Sequence, residues 1–142
     1  MLKHVLYIVL VFIFAAAGCK KGSSGNSSGN NEAGEDGAPP EIKFEQVYYD
    51  FGDIVQGEKV SYSFVFENTG GSPLLIEDAF ASCGCTVPEY DKEPISPGGK
   101  GRIEVIFDSS GRRGNQYKSV IIKTNTPESK QRLTIKANVL MN

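Results

Sequence analysis

The 142-residue chain contains no tryptophan and only one histidine, His4, beside its start. If the first residues are cleaved, no imidazole remains. That excludes Ser-His-Asp and Cys-His catalysis within one chain, and any imidazole-bound metal. Cysteine is scarce, with three residues: Cys19, Cys83 and Cys85. Positive charge is not in surplus. The 15 Lys and Arg stand against 17 Asp and Glu, for a formal net charge of −2, so no global field draws nucleic acid and no such partner is expected. No apolar run reaches the roughly 20 residues of a membrane-spanning helix, and no segment has the period of an amphipathic helix. No cofactor fingerprint is present. Gly98-Gly-Lys-Gly101 lacks P-loop spacing and reads as a turn between strands.

What is present begins with an address. A short basic start, Met1–His4, leads into the uninterrupted apolar run Val5–Ala17 and then Gly18-Cys19. The run is too short to span a bilayer and fits the core of a secretory signal peptide. Its end, Ala16-Ala17-Gly18-Cys19, resembles the bacterial lipobox, although Ala16 stands where that motif usually carries Leu. The resemblance implies diacylglycerol on the Cys19 sulfur and cleavage after Gly18. An ordinary signal peptide cut near Ala15–Ala17, leaving a free thiol, is the plainer alternative. Two or three acyl chains, at about 0.8 kcal/mol per buried methylene, anchor a protein stably where one does not.

Residues 20–38 (KKGSSGNSSGNNEAGEDGA) contain no Val, Ile, Leu, Phe or Tyr. Such a stretch buries too little surface to offset its ordering entropy. A flexible coil spans about 5–6 Å times the square root of its length, roughly 25 Å here. Pro39-Pro40 marks its end. The expected organisation is therefore a signal peptide over 1–18, a lipidated cysteine and disordered Gly/Ser/Asn linker over 19–41, and one folded domain over 42–142.

From Ile42 onward the apolar residues recur every second position. Val60, Tyr62, Phe64 and Phe66 make one apolar face, as do Ile103, Val105 and Phe107, and again Leu133, Ile135, Ala137 and Val139. Strands are expected over Ile42–Phe51, Val60–Phe66, Leu74–Ala81, Arg102–Phe107, Tyr117–Thr124 and Leu133–Val139, with a short one near Cys85–Val87. Gly/Pro/Asn turns such as Asn68–Pro73 and Ile95–Gly99 separate them. About seven strands in roughly 100 residues predict an all-β, Ig-like antiparallel sandwich. Without a Cys…Trp…Cys pattern it is not of the antibody type.

The ordered set Tyr49–Gly57 (YDFGDIVQG), Phe64–Gly70 (FVFENTG), Pro73–Ile76 (PLLI), Ser82–Pro88 (SCGCTVP), Ile95–Gly98 (ISPG), Val105–Asp108 (VIFD) and Ile122–Asn125 (IKTN) resembles the bacterial domain-of-unknown-function family 1573. That family is related to Ig-like sandwiches of the Hydin and major-sperm-protein type. The resemblance runs from about Phe44 to Val139. It implies a fold and an interaction role more than a mechanism.

Cys83-Gly84-Cys85 is the one constellation in this domain with evident chemistry. With Cys19 acylated, an even number of thiols remains in an exported protein. Three readings stand. In an extended strand, positions i and i+2 lie about 6.5–7 Å apart, at the limit for a disulfide, and Gly84 lets the backbone bend to close one. Two neighbouring thiolates also suit Cu(I) better than zinc, which needs four ligands. Finally, buried cysteines are often inert. Elsewhere, Asp50, Asp53, Glu89, Asp91 and Glu93 lack calcium-loop spacing and read as a solvated rim. Gly111-Arg-Arg-Gly114 reads as a hairpin connection or a contact for phosphate or carboxylates.

The leading expectation is a non-enzymatic interaction module on a membrane lipid, meeting a protein or peptidoglycan partner through sheet edges and end loops, with no cofactor and no metal. The alternative is thiol-redox or Cu(I) handling by Cys83 and Cys85. Lys20-Lys21, with no acidic residue directly after the lipid cysteine, resembles the enterobacterial sorting pattern for the outer membrane, facing the periplasm or cell surface.

Overall fold

The structure, a computed structural model, describes residues 37–141. The expected signal peptide, Cys19 and most of the linker lie outside these residues. Eight strands form: β1 Ile42–Phe44, β2 Tyr48–Val55, β3 Lys59–Asn68, β4 Ile76–Ala81, β5 Thr86–Tyr90, β6 Lys100–Asp108, β7 Gly114–Thr124 and β8 Lys130–Leu140. Among the described residues there is no helix. One sheet runs β1-β3-β6-β5 and the other β2-β8-β7-β4. This is the constant-type Ig arrangement with one strand, β2, added beside β8.

The period-two pattern builds the core between the sheets. Phe64 and Phe66 of β3 and Ile103, Val105 and Phe107 of β6 meet Val120 and Ile122 of β7 and Leu133, Ile135, Ala137 and Val139 of β8, all buried. Full burial of one such side chain is worth about 1.5–3 kcal/mol.

Three expectations are corrected. The single strand expected over Ile42–Phe51 is two strands in different sheets. β1 pairs with β3 and β2 with β8, and the chain crosses between the sheets over Glu45–Val47. The sandwich is not wholly antiparallel, because β2 reaches the far sheet still running in the direction of β8 and pairs with it in parallel. The strand expected from Leu74 starts at Ile76. Leu74 instead makes an isolated bridge to Ile95 and is fully buried.

Both flanks of the sandwich are closed where the chain changes sheets. At the β1/β2 flank, Tyr49 of one sheet stacks on Tyr62 of the other with ring centroids 3.7 Å apart. Phe51 packs edge-on against Tyr49 and Phe64 against Tyr62, and Phe44 and Phe66 form a separate tilted pair. At the opposite flank the chain passes from β4 to β5 through Ser82–Cys85.

One buried amide organises an end of the sandwich. Asn68 is fully buried and its side chain makes four hydrogen bonds. Its Nδ2 donates to the Ser72 and Ile95 carbonyls, both at 2.9 Å. Its Oδ1 accepts from the Gly70 amide at 3.0 Å and the Glu41 amide at 3.4 Å. A buried amide is tolerated because it is fully paired. The same turn receives the entering chain: the Ser72 hydroxyl donates to the Ala38 carbonyl at 2.7 Å, and Pro40 is buried. Gly70 permits this approach, since a Cβ there would lie 2.3 Å from the Pro39 oxygen. The chain is thus held from Ala38, earlier than the boundary expected at 42.

Candidate functional site

The Cys-Gly-Cys segment lies in the β4-to-β5 crossover, between the edge strand of one sheet and the edge strand of the other. Its ends are fixed by backbone hydrogen bonds. The Ser82 amide donates to the Ser119 carbonyl of β7 at 2.9 Å. The Asp108 amide of β6 donates to the Cys85 carbonyl, also at 2.9 Å. Within the turn, the Thr86 amide donates to the Cys83 carbonyl at 3.3 Å.

Cys83 and Cys85 are joined by a disulfide, with Cα atoms 5.4 Å apart. That spacing is shorter than the extended-strand value because Cys85 belongs to a turn, and β5 begins only at Thr86. Both cysteines are half-buried and Gly84 is exposed. Cys85 packs against the core. The hydroxyl of buried Thr86 lies 3.7 Å from Cys83 Sγ and 4.0 Å from Cys85 Sγ. In this state neither sulfur is a thiolate, so the pair offers no soft-metal ligand until it is reduced. Among the described residues no cluster of three or more His, Cys, Asp or Glu side chains is placed to hold a metal.

The other singled-out residues are not brought together. Asp50 and Asp53 lie on β2, while Glu89 lies on β5 of the opposite sheet. Asp50 pairs with Lys136 of β8 at 2.8 Å. The hydrogen bond from Lys136, with that from the Gly52 amide, holds the Asp50 carboxyl below its ordinary pKa, and the same bond raises Lys136. Asp53 accepts from Asn138 at 2.8 Å. In the basic loop, the Arg112 carbonyl accepts from Gln56 at 2.8 Å, tying the loop to the end of β2.

A further surface feature emerges from the strand register. The outer face of the β2-β8-β7-β4 sheet carries Tyr48 and Asp50 on β2, Arg132, Thr134 and Lys136 on β8, Tyr117, Ser119 and Ile121 on β7, and Phe80 on β4. Tyr117 is 61% exposed, Phe80 48% and Tyr48 47%. The outer face of the other sheet is different. There Lys43 pairs across with Glu67, Glu67 with Lys100, Lys59 with Asp108 and Glu89 with Glu104. Each sheet carries two ion pairs, Lys59–Asp108 and Lys100–Glu45 here and Lys136–Asp50 and Lys123–Glu77 on the other, but the exposed rings all belong to the β2-β8-β7-β4 sheet, and the large exposed apolar residue on this face is Val87. Alternation alone did not show this, because Tyr48, Phe80 and Tyr117 come from three strands that only the register aligns.

The edges are poorly suited to strand addition. β1 is 3 residues long. β2 carries an irregularity between Asp50 and Asp53, with Gly52 at a φ of 71°. β4 is irregular between Ile76 and Asp78, and β5 contains Pro88, which has no N–H to offer.

Fold and topology define an Ig-like β-sandwich. Similar solved structures include a protein of unknown function from Porphyromonas gingivalis W83, with a TM-score of 0.60 and 21% identity over 71% of this chain and 46% of that one. The human CEP192 ASH/PapD-like domain 7 gives a TM-score of 0.57 and 11% identity, over 73% of this chain and 88% of that domain. The YadV chaperone gives a TM-score of 0.54 and 13% identity, over 69% of this chain and 51% of that one. At these identities the likeness is one of fold, and the chain spans only about half of the first and third. No curated protein matches the sequence. The family model described as "Protein of unknown function (DUF1573)" matches residues 42–139, and the chain belongs to that family.

Proposed function

We propose that this protein is a lipid-anchored component of a bacterial cell envelope whose Ig-like domain binds a protein partner without catalysing a reaction. The observation that carries the reading is the contrast between its two outer sheet faces. Tyr117, Phe80 and Tyr48 stand exposed on the outer face of one sheet, with Ile121, Ser119 and Thr134 among them, while none of the exposed aromatic rings lies on the outer face of the other. Aromatic residues dominate binding energy at interfaces, and paired surface charges contribute little. Because the edges are blunted, the contact is made by the face rather than by strand addition. The membrane tether is supported by the Val5–Ala17 run ending at Gly18-Cys19.

Affinity capture of the native chain from solubilised envelope tests this reading. Wild type is expected to retain a specific partner that Tyr117→Ser and Phe80→Asp lose. Retention of nothing specific, retention of peptidoglycan fragments alone, or equal retention by both variants would overturn it.

A further inference from the structure

We infer that the Cys83–Cys85 disulfide is an exchange site that accepts two electrons from a dithiol reductant, rather than a staple for the fold. This inference is independent of the binding face proposed above.

The first ground is topological. A bridge stabilises chiefly by closing a loop in the unfolded chain, more so for longer loops. The two cysteines here are only 2 positions apart, so little chain is constrained. The second ground is that the crossover is held without the bridge. Ser82 is bonded to Ser119, and Cys85 to Asp108, at 2.9 Å each through the backbone. Thus the bond fixes almost nothing that neighbouring strands leave loose.

The third ground is access. Gly84 is exposed, and a Cβ built on it would meet no atom within 4 Å. Cys83 and Cys85 on either side of it are half-buried, so solvent reaches each in part. The two sulfurs are also unequal. Cys85 packs against the core and Cys83 does not, so Cys83 Sγ is the sulfur open to attack and Cys85 Sγ the one that leaves. The Thr86 hydroxyl lies 3.7 Å from Cys83 Sγ and 4.0 Å from Cys85 Sγ, within reach of both, so it can turn to donate to the Cys85 thiolate as the bond opens.

A thiolate of the reductant bonds to Cys83 Sγ while the Cys83–Cys85 bond breaks. The electron pair of that bond passes to Cys85 Sγ, which leaves as thiolate and takes a proton from water. The reductant's second thiolate then attacks its own sulfur in the mixed disulfide. Cys83 Sγ leaves with that pair and is protonated in turn. The reductant ends as a disulfide, and Cys83 and Cys85 end as two thiols.

The test uses the full-length protein in detergent, equilibrated from both directions with one equivalent of thioredoxin, then acid-quenched, alkylated and weighed intact. A bridge about tenfold easier to reduce than thioredoxin's own, roughly 30 mV more oxidising, would be roughly three-quarters opened. Opening of less than half at equilibrium would overturn the inference. A thioredoxin whose resolving cysteine is serine is expected to stay covalently attached at Cys83, with Cys85 free. Attachment at Cys85, or none, would contradict the assigned direction. Thr86→Val is expected to slow exchange several-fold and Thr86→Ser to restore it, whereas a merely structural Thr86 would leave the rate unmoved.

Discussion

Replacing Asn68 by alanine removes four side-chain hydrogen bonds from one buried position, and the structure predicts how much stability goes with them. The Ile95 carbonyl keeps a partner, because it also accepts from the Leu74 amide at 2.9 Å. The Glu41 contact is long, at 3.4 Å, and contributes least. The Ser72 carbonyl and the Gly70 amide lose the side-chain partner beside a fully buried site. At about 1–3 kcal/mol for each buried polar group left unpaired, and with water reaching the turn in part, the expected loss is about 2–4 kcal/mol. For a domain of this size that corresponds to a fall in Tm of roughly 10–20 °C. Asn125→Ala is the control. Asn125 makes the same kind of bonds, to the Leu75 amide at 2.8 Å and the Pro73 carbonyl at 3.0 Å, but it is exposed. Water replaces those bonds, so its loss is expected below about 1 kcal/mol.

Asn68→Asp adds a sign. The new carboxylate would face the Ser72 and Ile95 oxygens, so its folded-state pKa lies above the unfolded value. Its stability is then closest to wild type below the unfolded pKa of about 4. It is lost as pH rises from there through the folded pKa. Urea unfolding followed by tyrosine fluorescence measures all three variants, since the chain has no tryptophan. Equal losses for Asn68→Ala and Asn125→Ala, or a pH-independent Asn68→Asp, would refute the argument that burial makes this amide matter.

Two further predictions concern packing and charge. Phe64→Ala empties a fully buried position between the sheets and should cost about 3–5 kcal/mol in the same unfolding assay. Lys136→Met removes the hydrogen bond that depresses Asp50, so the Asp50 titration midpoint should rise toward the ordinary carboxylate value by NMR. Because a depressed carboxyl contributes stability above its unfolded pKa and loses it as pH falls through the folded one, this variant should be less sensitive to acid than wild type.

Much of the fold was legible because the core strands alternate cleanly. Phe64 and Phe66, Ile103 to Phe107, and Leu133 to Val139 announce their inner faces in the sequence, and all are buried. The split of Ile42–Phe51 was not legible. Ile42 and Phe44, and then Tyr49 and Phe51, all face inward in part, but from opposite sheets, and alternation carries no label for which sheet a residue joins. Asn68 read as the first residue of a turn, but it is the last residue of β3, and the chain bends only over Gly70–Ser72. Its burial depends on Ile95 and Glu41, each 27 positions away, and local chemistry does not report that. At the cysteines, spacing left three readings open because extended geometry put closure at its limit. The turn brings the Cα atoms to 5.4 Å. The aromatic face was least visible, since its rings come from β2, β4 and β7.

The measurement that bears most directly on the binding account is photo-crosslinking in intact cells, with the probe at position 117 on the aromatic face or at position 61, which is exposed on β3 of the other sheet. The account predicts one discrete protein adduct from 117 and none from 61. Adducts of equal yield from both positions, or from 61 alone, would contradict it.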